Sequence, residues 1–291
     1  MEVIVSAALP VLLTVLAGFF IVKLNRPFDK DTVTFIVGRI GTPVLIFYSL
    51  IHTSVSAESL LIIGGATLVS IVCFLLLGFI ILRLAGLSIS TYLPSLSGPN
   101  TGNLGLPLSY YAFGEEGLNY AIAIFIVVAL SNHTIGQTIV AGRSKWRAVL
   151  SNPVIYAAFL GILVFFYQLH VPIWLDNTLE ILSGLTIPLM LLMLGTSLAS
   201  IPIVAFKRSV WLALLRIGMG VVVGFFVADF FGLTDAARGA FIIQSAMPVA
   251  VYMYVYAQMY ENSPEEIASL VVISTLISVV TIPLLLSMLV L

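Results

Sequence analysis

Asn100, Thr101 and Asn103 are the side chains of this sequence whose type and spacing best suit chemistry, and the chemistry is anion binding. They follow Pro99 in the string SGPNTGNLGLPL, residues 97–108. Amide and hydroxyl donors, with the positive end of a half-helix behind them, stabilise a carboxylate without any fixed charge. In their plainer role the same side chains cap the ends of a broken helix. A second polar group flanks QSAMPVAVYMY around Pro248 and holds Gln244, Ser245 and Tyr252. Bared carbonyls near Met247, with Gln244 beside them, are candidate ligands for a coupling cation, although polar side chains in a membrane also serve as bonds between helices. A third group, Ser131, Asn132, His133 and Gln137, lies between IFIVVAL and TIVAG. Ser131 and Asn132 are candidates for the same solute site. His133 is a candidate proton carrier because its reference pKa lies nearest neutrality, set against the ordinary role of a hydrogen-bonded structural histidine.

Other chemistries lack their residues. The chain has no HExxH, no paired acids at membrane depth, no Ser-His pair at recognisable spacing and no GxxxxGK[ST] loop. An enzyme, a metal centre, a bound cofactor and a nucleotide-driven pump are therefore not expected. No Asp or Glu falls near the middle of an apolar run, Asp229 lying at an outer end, so an acid-based proton relay is not expected either. Ion coupling then falls to neutral oxygen ligands for sodium or to His133 for a proton; otherwise the solute's own gradient drives movement. Arg39 and Arg216 each lie about 10 Å inside a span by the helical rise, shallow enough to be expected to snorkel to the interface.

These groups need apolar elements to position them. The 291 residues are 60% hydrophobic and 9% charged, with a mean hydropathy of +1.17, far from the charge content of water-soluble domains. The chain reads as an all-α polytopic membrane protein, and its net charge of −1 gives no sign of nucleic-acid binding. Cys73 is the one cysteine, so no disulfide forms within the chain. The first apolar run has neither a basic leader nor a cleavage site and reads as a retained helix. Windows of roughly 20 apolar residues give ten spans, near 3–22, 32–51, 60–82, 92–112, 119–141, 152–169, 178–199, 209–230, 237–258 and 267–290.

Helices do not run through SGPNTGNLGLPL. Pro99 and Pro107 lack an amide hydrogen, and Gly98, Gly102 and Gly105 cost a helix stability, so the fourth span is expected to unwind. Pro248 breaks the ninth span in the same way. Irregular backbone at membrane depth survives only where protein buries it or where it lines a polar cavity, and paired broken helices at matching positions are the sequence sign of an alternating-access carrier. Pro10, Gly18, Pro27, Pro43, Gly86 and Pro99 recur as Pro153, Gly161, Pro172, Pro188, Gly232 and Pro248, the offset drifting from 143 to 149 residues. Two repeats follow, 1–147 and 148–291. Five spans each make them inverted, and the fourth and ninth breaks meet near the midplane in one integrated membrane domain. Lys23, Arg26, Lys30, Arg83, Arg143, Lys145, Arg147, Lys207 and Arg208 fall on one side, which the positive-inside rule makes cytoplasmic, with both termini outside.

The strings PNTGNLGLPL at 99–108 and MPVAVYMYVYAQMY at 247–260, with TPVLIF at 42–47 and IPLMLLMLGTSLA at 187–199, resemble the auxin efflux carrier family over essentially the whole chain. The short connection between the halves resembles the compact microbial branch, which is similar to organic-acid permeases. The resemblance implies a plasma-membrane permease for small organic anions such as malate or malonate. It also implies a homodimer of scaffold and moving parts, with Asn100 against the substrate carboxylate and Pro99, Gly102, Gly105, Pro107 and Pro248 shaping the crossing. Two other readings stand beside the carrier: a membrane sensor that binds an anion without moving it and, more remote, an intramembrane enzyme.

Overall fold

Apolar runs cut by proline, glycine and charge fold into helices throughout the computed structural model, which describes residues 2–142, 151–200 and 204–290. The helices are α1 (Glu2–Lys23), α2 (Lys30–Phe35), α3 (Thr42–Ile51), α4 (Ala57–Leu84), α5 (Ile89–Ser97), α6 (Leu106–Ser131), α7 (Gln137–Ala141), α8 (Pro153–Tyr167), α9 (Ile173–Ser200), α10 (Phe206–Phe230), α11 (Asp235–Ser245), α12 (Val251–Met259) and α13 (Pro264–Val290). Wider π-helical turns join α2 to α3 (Ile36–Gly41), lead into α6 (Thr101–Gly105) and join α6 to α7 (Asn132–Gly136).

Six helical runs among the described residues are long and apolar enough to cross a membrane. The expected first and sixth spans fall on α1 and α8, whose described apolar stretches are shorter, and the expected ninth is divided between α11 and α12. One 41-residue run, Thr101–Ala141, contains the end of the expected fourth span and the whole fifth. Gly114, at φ 65° and ψ −158°, breaks it between them. Only glycine takes that conformation readily. Arg143, Lys145, Arg147 and the 147/148 repeat boundary lie outside the described residues.

Local capping follows ordinary rules. Asp29 caps α2 by accepting the Thr32 N–H at 2.9 Å, which holds its carboxyl below the usual carboxylate range. α4 and α10 end alike: Gly86 and Gly232 have φ of 65° and 64°, and the next residue donates back to the carbonyl five positions earlier, Leu87 to Leu82 and Leu233 to Ala228.

Packing gathers the helices into two groups. α1 lies along α9, and α3 packs on both α8 and α9; separately, α4, α5, α6, α10, α11, α12 and α13 pack on one another. The first group has backbone-close seams, since a Cβ on Gly195 would stand 1.9 Å from the Val15 carbonyl oxygen. The second holds most of the main apolar core, including Phe74, Leu96, Phe241, Ile243, Met247 and Val271. Leu45, Ile46, Leu106, Ile122 and Val154 form a smaller cluster where the groups meet. Leu61, Leu84, Phe226, Phe230 and Met288 cover the outside while Thr67, Ser70, Gln244, Ser274 and Ser278 are buried. That distribution suits acyl chains as solvent.

Arg216 departs from expectation. It does not snorkel: its side chain is fully buried, with Nη2 donating to the Ser245 carbonyl at 2.8 Å and the guanidinium 4.6 Å from the Phe74 ring centre. The helical face that carries it turns toward α11 and α4 rather than toward lipid, leaving no path to the interface. Arg39, in contrast, is exposed and donates to the Ser151 carbonyl at 3.0 Å.

Candidate functional site

Two interruptions in the middle of apolar helices leave backbone groups that need partners, and they find them in each other. Pro99 and Val249 pair as an isolated antiparallel bridge. The Asn100 N–H donates to the Pro248 carbonyl at 2.8 Å and the Ala250 N–H to the Gly98 carbonyl at 3.0 Å. Ser274 on α13 supplies its hydroxyl oxygen to the Val249 N–H at 3.1 Å. Proline explains why the bridge stops at two bonds, since neither Pro99 nor Pro248 has an N–H to add.

The unwound stretch is shorter than the sequence predicts. Only Gly98–Asn100 leaves the helical path; Gly102 and Gly105 lie in the π-helical turn and Pro107 in the first turn of α6. The helix continues from the π-helical turn through Pro107, where the ring removes one N–H from the helical ladder. The glycines serve close packing instead, because a Cβ on Gly102 would stand 2.9 Å from the Phe125 ring and one on Gly105 2.1 Å from Gln244 Oε1.

A cavity of about 420 Å³ lies against the crossing, within the range of small-ligand sites. Its inner wall is the two restarting helices, Asn100–Asn103 and Ala250–Tyr252. Both therefore present their N-terminal, positive ends to one space. Asn132, His133 and Tyr256 line its side, Phe125, Met190 and Met193 add apolar surface, and Lys30, Asn152, Ser200 and Gln258 stand toward the end where the basic residues Lys23, Arg26 and Lys207 lie. Lys30 Nζ donates to Ser200 Oγ at 2.6 Å. The only carboxylate among the described lining residues is Asp31, beside Lys30.

Asn100 is 4% exposed and its Nδ2 makes no hydrogen bond to any described group. Leaving such a donor unpaired costs about 1–3 kcal/mol, and this one belongs to a residue of the cavity wall. Tyr256 Oη and His133 Nδ1 are 2.5 Å apart, and Tyr252 meets both rings edge-on or tilted. Three residues of a continuous polar face are thus tied together beside Asn132.

Of the residues singled out from the sequence, Asn100, Thr101, Asn103, Asn132, His133 and Tyr252 line this cavity, with Pro99 and Gly102. Ser131, Gln244, Ser245 and Met247 do not. The last turn of α11 faces α6 and α10, where Gln244 Nε2 reaches Ser109 Oγ at 3.4 Å and Ser245 gives its carbonyl to Arg216. Met247 is buried in the apolar core. Phe125, Asn152, Met190, Met193 and Tyr256 were not foreseen. Three of the five are large apolar side chains that read in sequence as lipid or core contacts, and helix packing alone carries them to the cavity. No group of three or more His, Cys, Asp or Glu among the described residues is placed to hold a metal ion.

Comparison with known proteins points to membrane transport. Residues 137–286, about half of the chain, match the profile of the family described as membrane transport protein. The chain is 29% identical to an uncharacterized transporter of Methanocaldococcus jannaschii and 27% identical to one of Methanothermobacter thermautotrophicus, each match covering 96% of both chains. It is 26% identical to auxin efflux carrier component 1 of Arabidopsis thaliana over 140 residues, 46% of this chain and 22% of that protein. An all-helical, lipid-facing body built around two crossed breaks and a family profile that runs from Gln137, at the start of α7, into α13 converge: this chain belongs to the membrane transport protein family, that of the auxin efflux carriers.

Proposed function

We propose that this protein is a secondary carrier that moves a small carboxylate across the plasma membrane by alternating access. The observation that carries the reading is the Asn100 amide, buried and unpaired on a cavity wall formed by two positive helix ends. A carboxylate supplies the acceptor Nδ2 lacks and the charge both helix ends favour. Thr101, Asn103 and Asn132 complete the ring of donors around it, and Tyr252 closes its side. His133, bonded to Tyr256, is the residue we assign to proton coupling.

The architecture of this reading is ten transmembrane segments in two inverted five-segment repeats, with α5–α6 and α11–α12 as the broken pair. The matched turns at Gly86 and Gly232 support it. So do Gly18 and Gly161, one repeat offset apart: a Cβ on Gly18 would strike the Leu192 carbonyl of α9, and one on Gly161 would meet Leu50 of α3. The division of packing supports a scaffold of α1, α2, α3, α8 and α9 and a moving part made of the remaining helices. Both termini face outward, the cavity opens to the cytoplasm, and the unit is a homodimer.

Proteoliposomes test the proposal. Labelled malate, malonate and auxin are offered in turn, with inward and outward gradients. Saturable, counter-flow-stimulated accumulation of a carboxylate is expected. Binding of a carboxylate without flux makes the protein a sensor and refutes the carrier.

A further inference from the structure

At Gly220, α10 meets the backbone at the end of α11 directly. A Cβ on Gly220 would lie 2.3 Å from the Ser245 carbonyl oxygen, and one on Gly224 3.1 Å from Ser245 Cβ. One turn before Gly220, on the same face, Arg216 gives its Nη2 hydrogen to that carbonyl at 2.8 Å. Its guanidinium lies over the Phe74 ring at 4.6 Å, and the side chain is fully buried. Nε and Nη1 have no hydrogen-bond partner, and no carboxylate among the described residues forms an ion pair with it.

An arginine held in a membrane interior without a counter-ion costs several kcal/mol. Two features offset it. The aromatic face attracts the cation, by about 2 kcal/mol when both are desolvated. The C-terminal end of α11 contributes about half a negative charge; the Ala246 and Met247 N–H groups reach its Ile242, Ile243 and Gln244 carbonyls, and the Ser245 carbonyl is left to Arg216. The opposite break meets the same need with a neutral group: Ser97 Oγ donates to the Leu93 and Pro94 carbonyls at 3.0 and 3.3 Å. Of the two broken helices, α5 and α11, it is the end of α11 that receives a full positive charge.

We propose that the Arg216 guanidinium is the cation of the ninth-segment break, a tethered charge standing where a diffusible sodium ion would otherwise neutralise the Ser245 carbonyl and the helix end behind it, so that the transport cycle requires no sodium. This rests on the carrier reading above and specifies its ion requirement. It also replaces the expectation, drawn from the sequence, that carbonyls near Met247 hold a free cation.

Two measurements decide it. Uptake of labelled malate, malonate and auxin into proteoliposomes is compared in sodium and choline media of equal ionic strength for the wild type, R216K and R216Q. Equal wild-type rates in both media are expected, with R216K keeping most of that rate and R216Q losing about tenfold or more. A wild-type rate that collapses in choline overturns the proposal, as does R216Q running at the wild-type rate in choline. Thermal unfolding of the purified wild type in sodium chloride against choline chloride needs neither flux nor a variant. Coincident midpoints support the tethered cation, and a sodium-specific rise overturns it. Absence of all uptake sinks the carrier reading alone, while the unfolding comparison still decides the sodium question.

Discussion

Replacing Asn100 with alanine separates a residue that recognises a ligand from one that holds the fold, because the two roles predict opposite signs. Asn100 Nδ2 is buried without a partner among the described residues, which costs about 1–3 kcal/mol. Asn100→Ala removes that cost. The crossing survives the change, since its bonds use the Asn100 backbone: N–H to the Pro248 carbonyl, and carbonyl from the Gly105 N–H at 3.1 Å. The lost side-chain atoms border an existing cavity of about 420 Å³, so no sealed void forms and the usual penalty for a core truncation does not apply. The purified variant is therefore expected to unfold at the wild-type temperature or slightly above it.

Transport should move the other way. A hydrogen bond from an amide to a carboxylate contributes about 1.5–3 kcal/mol, which is about 10- to 150-fold in kcat/KM for uptake. Asn100→Asp sharpens the test, because an added negative charge between two positive helix ends strengthens binding of a cation and abolishes binding of an anion. Initial rates in proteoliposomes and thermal unfolding are read on the same preparations. The reasoning fails when Asn100→Ala transports within about threefold of wild type, or when it loses several kcal/mol of stability and so shows the amide to be a structural prop.

Pro248→Ala restores an N–H where α11 ends and lets helix propagate toward α12; a several-fold fall in turnover at nearly constant KM is expected from rate measurements, and unchanged kinetics contradict a need for the break. Tyr256→Phe removes the hydroxyl bonded to His133, and stimulation of uptake by an imposed pH gradient should disappear with basal exchange retained; a full response to the gradient takes His133 out of proton coupling. Gly195→Val forces a side chain to within 1.9 Å of the Val15 carbonyl and should lower thermal stability by about 1–3 kcal/mol or more. Gly184→Ala, on the same helix with nothing within 4 Å of the new Cβ, should leave it unchanged or raise it by up to about 1 kcal/mol.

What the sequence disclosed and what it hid divide along one physical line. Proline acts on the backbone of its own neighbourhood, so Pro99 and Pro248 announced two breaks, and their near-equal spacing from matched glycines announced that the breaks belong together. Asn100, Thr101 and Asn103 were legible because they adjoin those breaks, and the end of a restarting helix points its donors wherever the chain is open. Side chains inside continuous helices carry no such marker. Gln244 and Ser245 sit within four residues of Pro248, yet the last turn of α11 rotates them toward Ser109 and Arg216, while Tyr256, eight residues beyond the same proline, reaches the cavity and His133. Rotation about a helix axis is set by packing, and an apolar sequence in lipid has little amphipathic signal from which to read it.

Arg216 is the instructive exception. Its burial was missed by reasoning from depth alone, although Arg216, Gly220 and Gly224 recur every four residues and describe one face of α10 that admits another backbone. A small-residue stripe that close to a broken partner helix leaves the charge at its end only one place to go. Depth fixes what burial of a charge costs; the stripe fixes whether the charge is buried at all. In a membrane protein the second question has to be answered first.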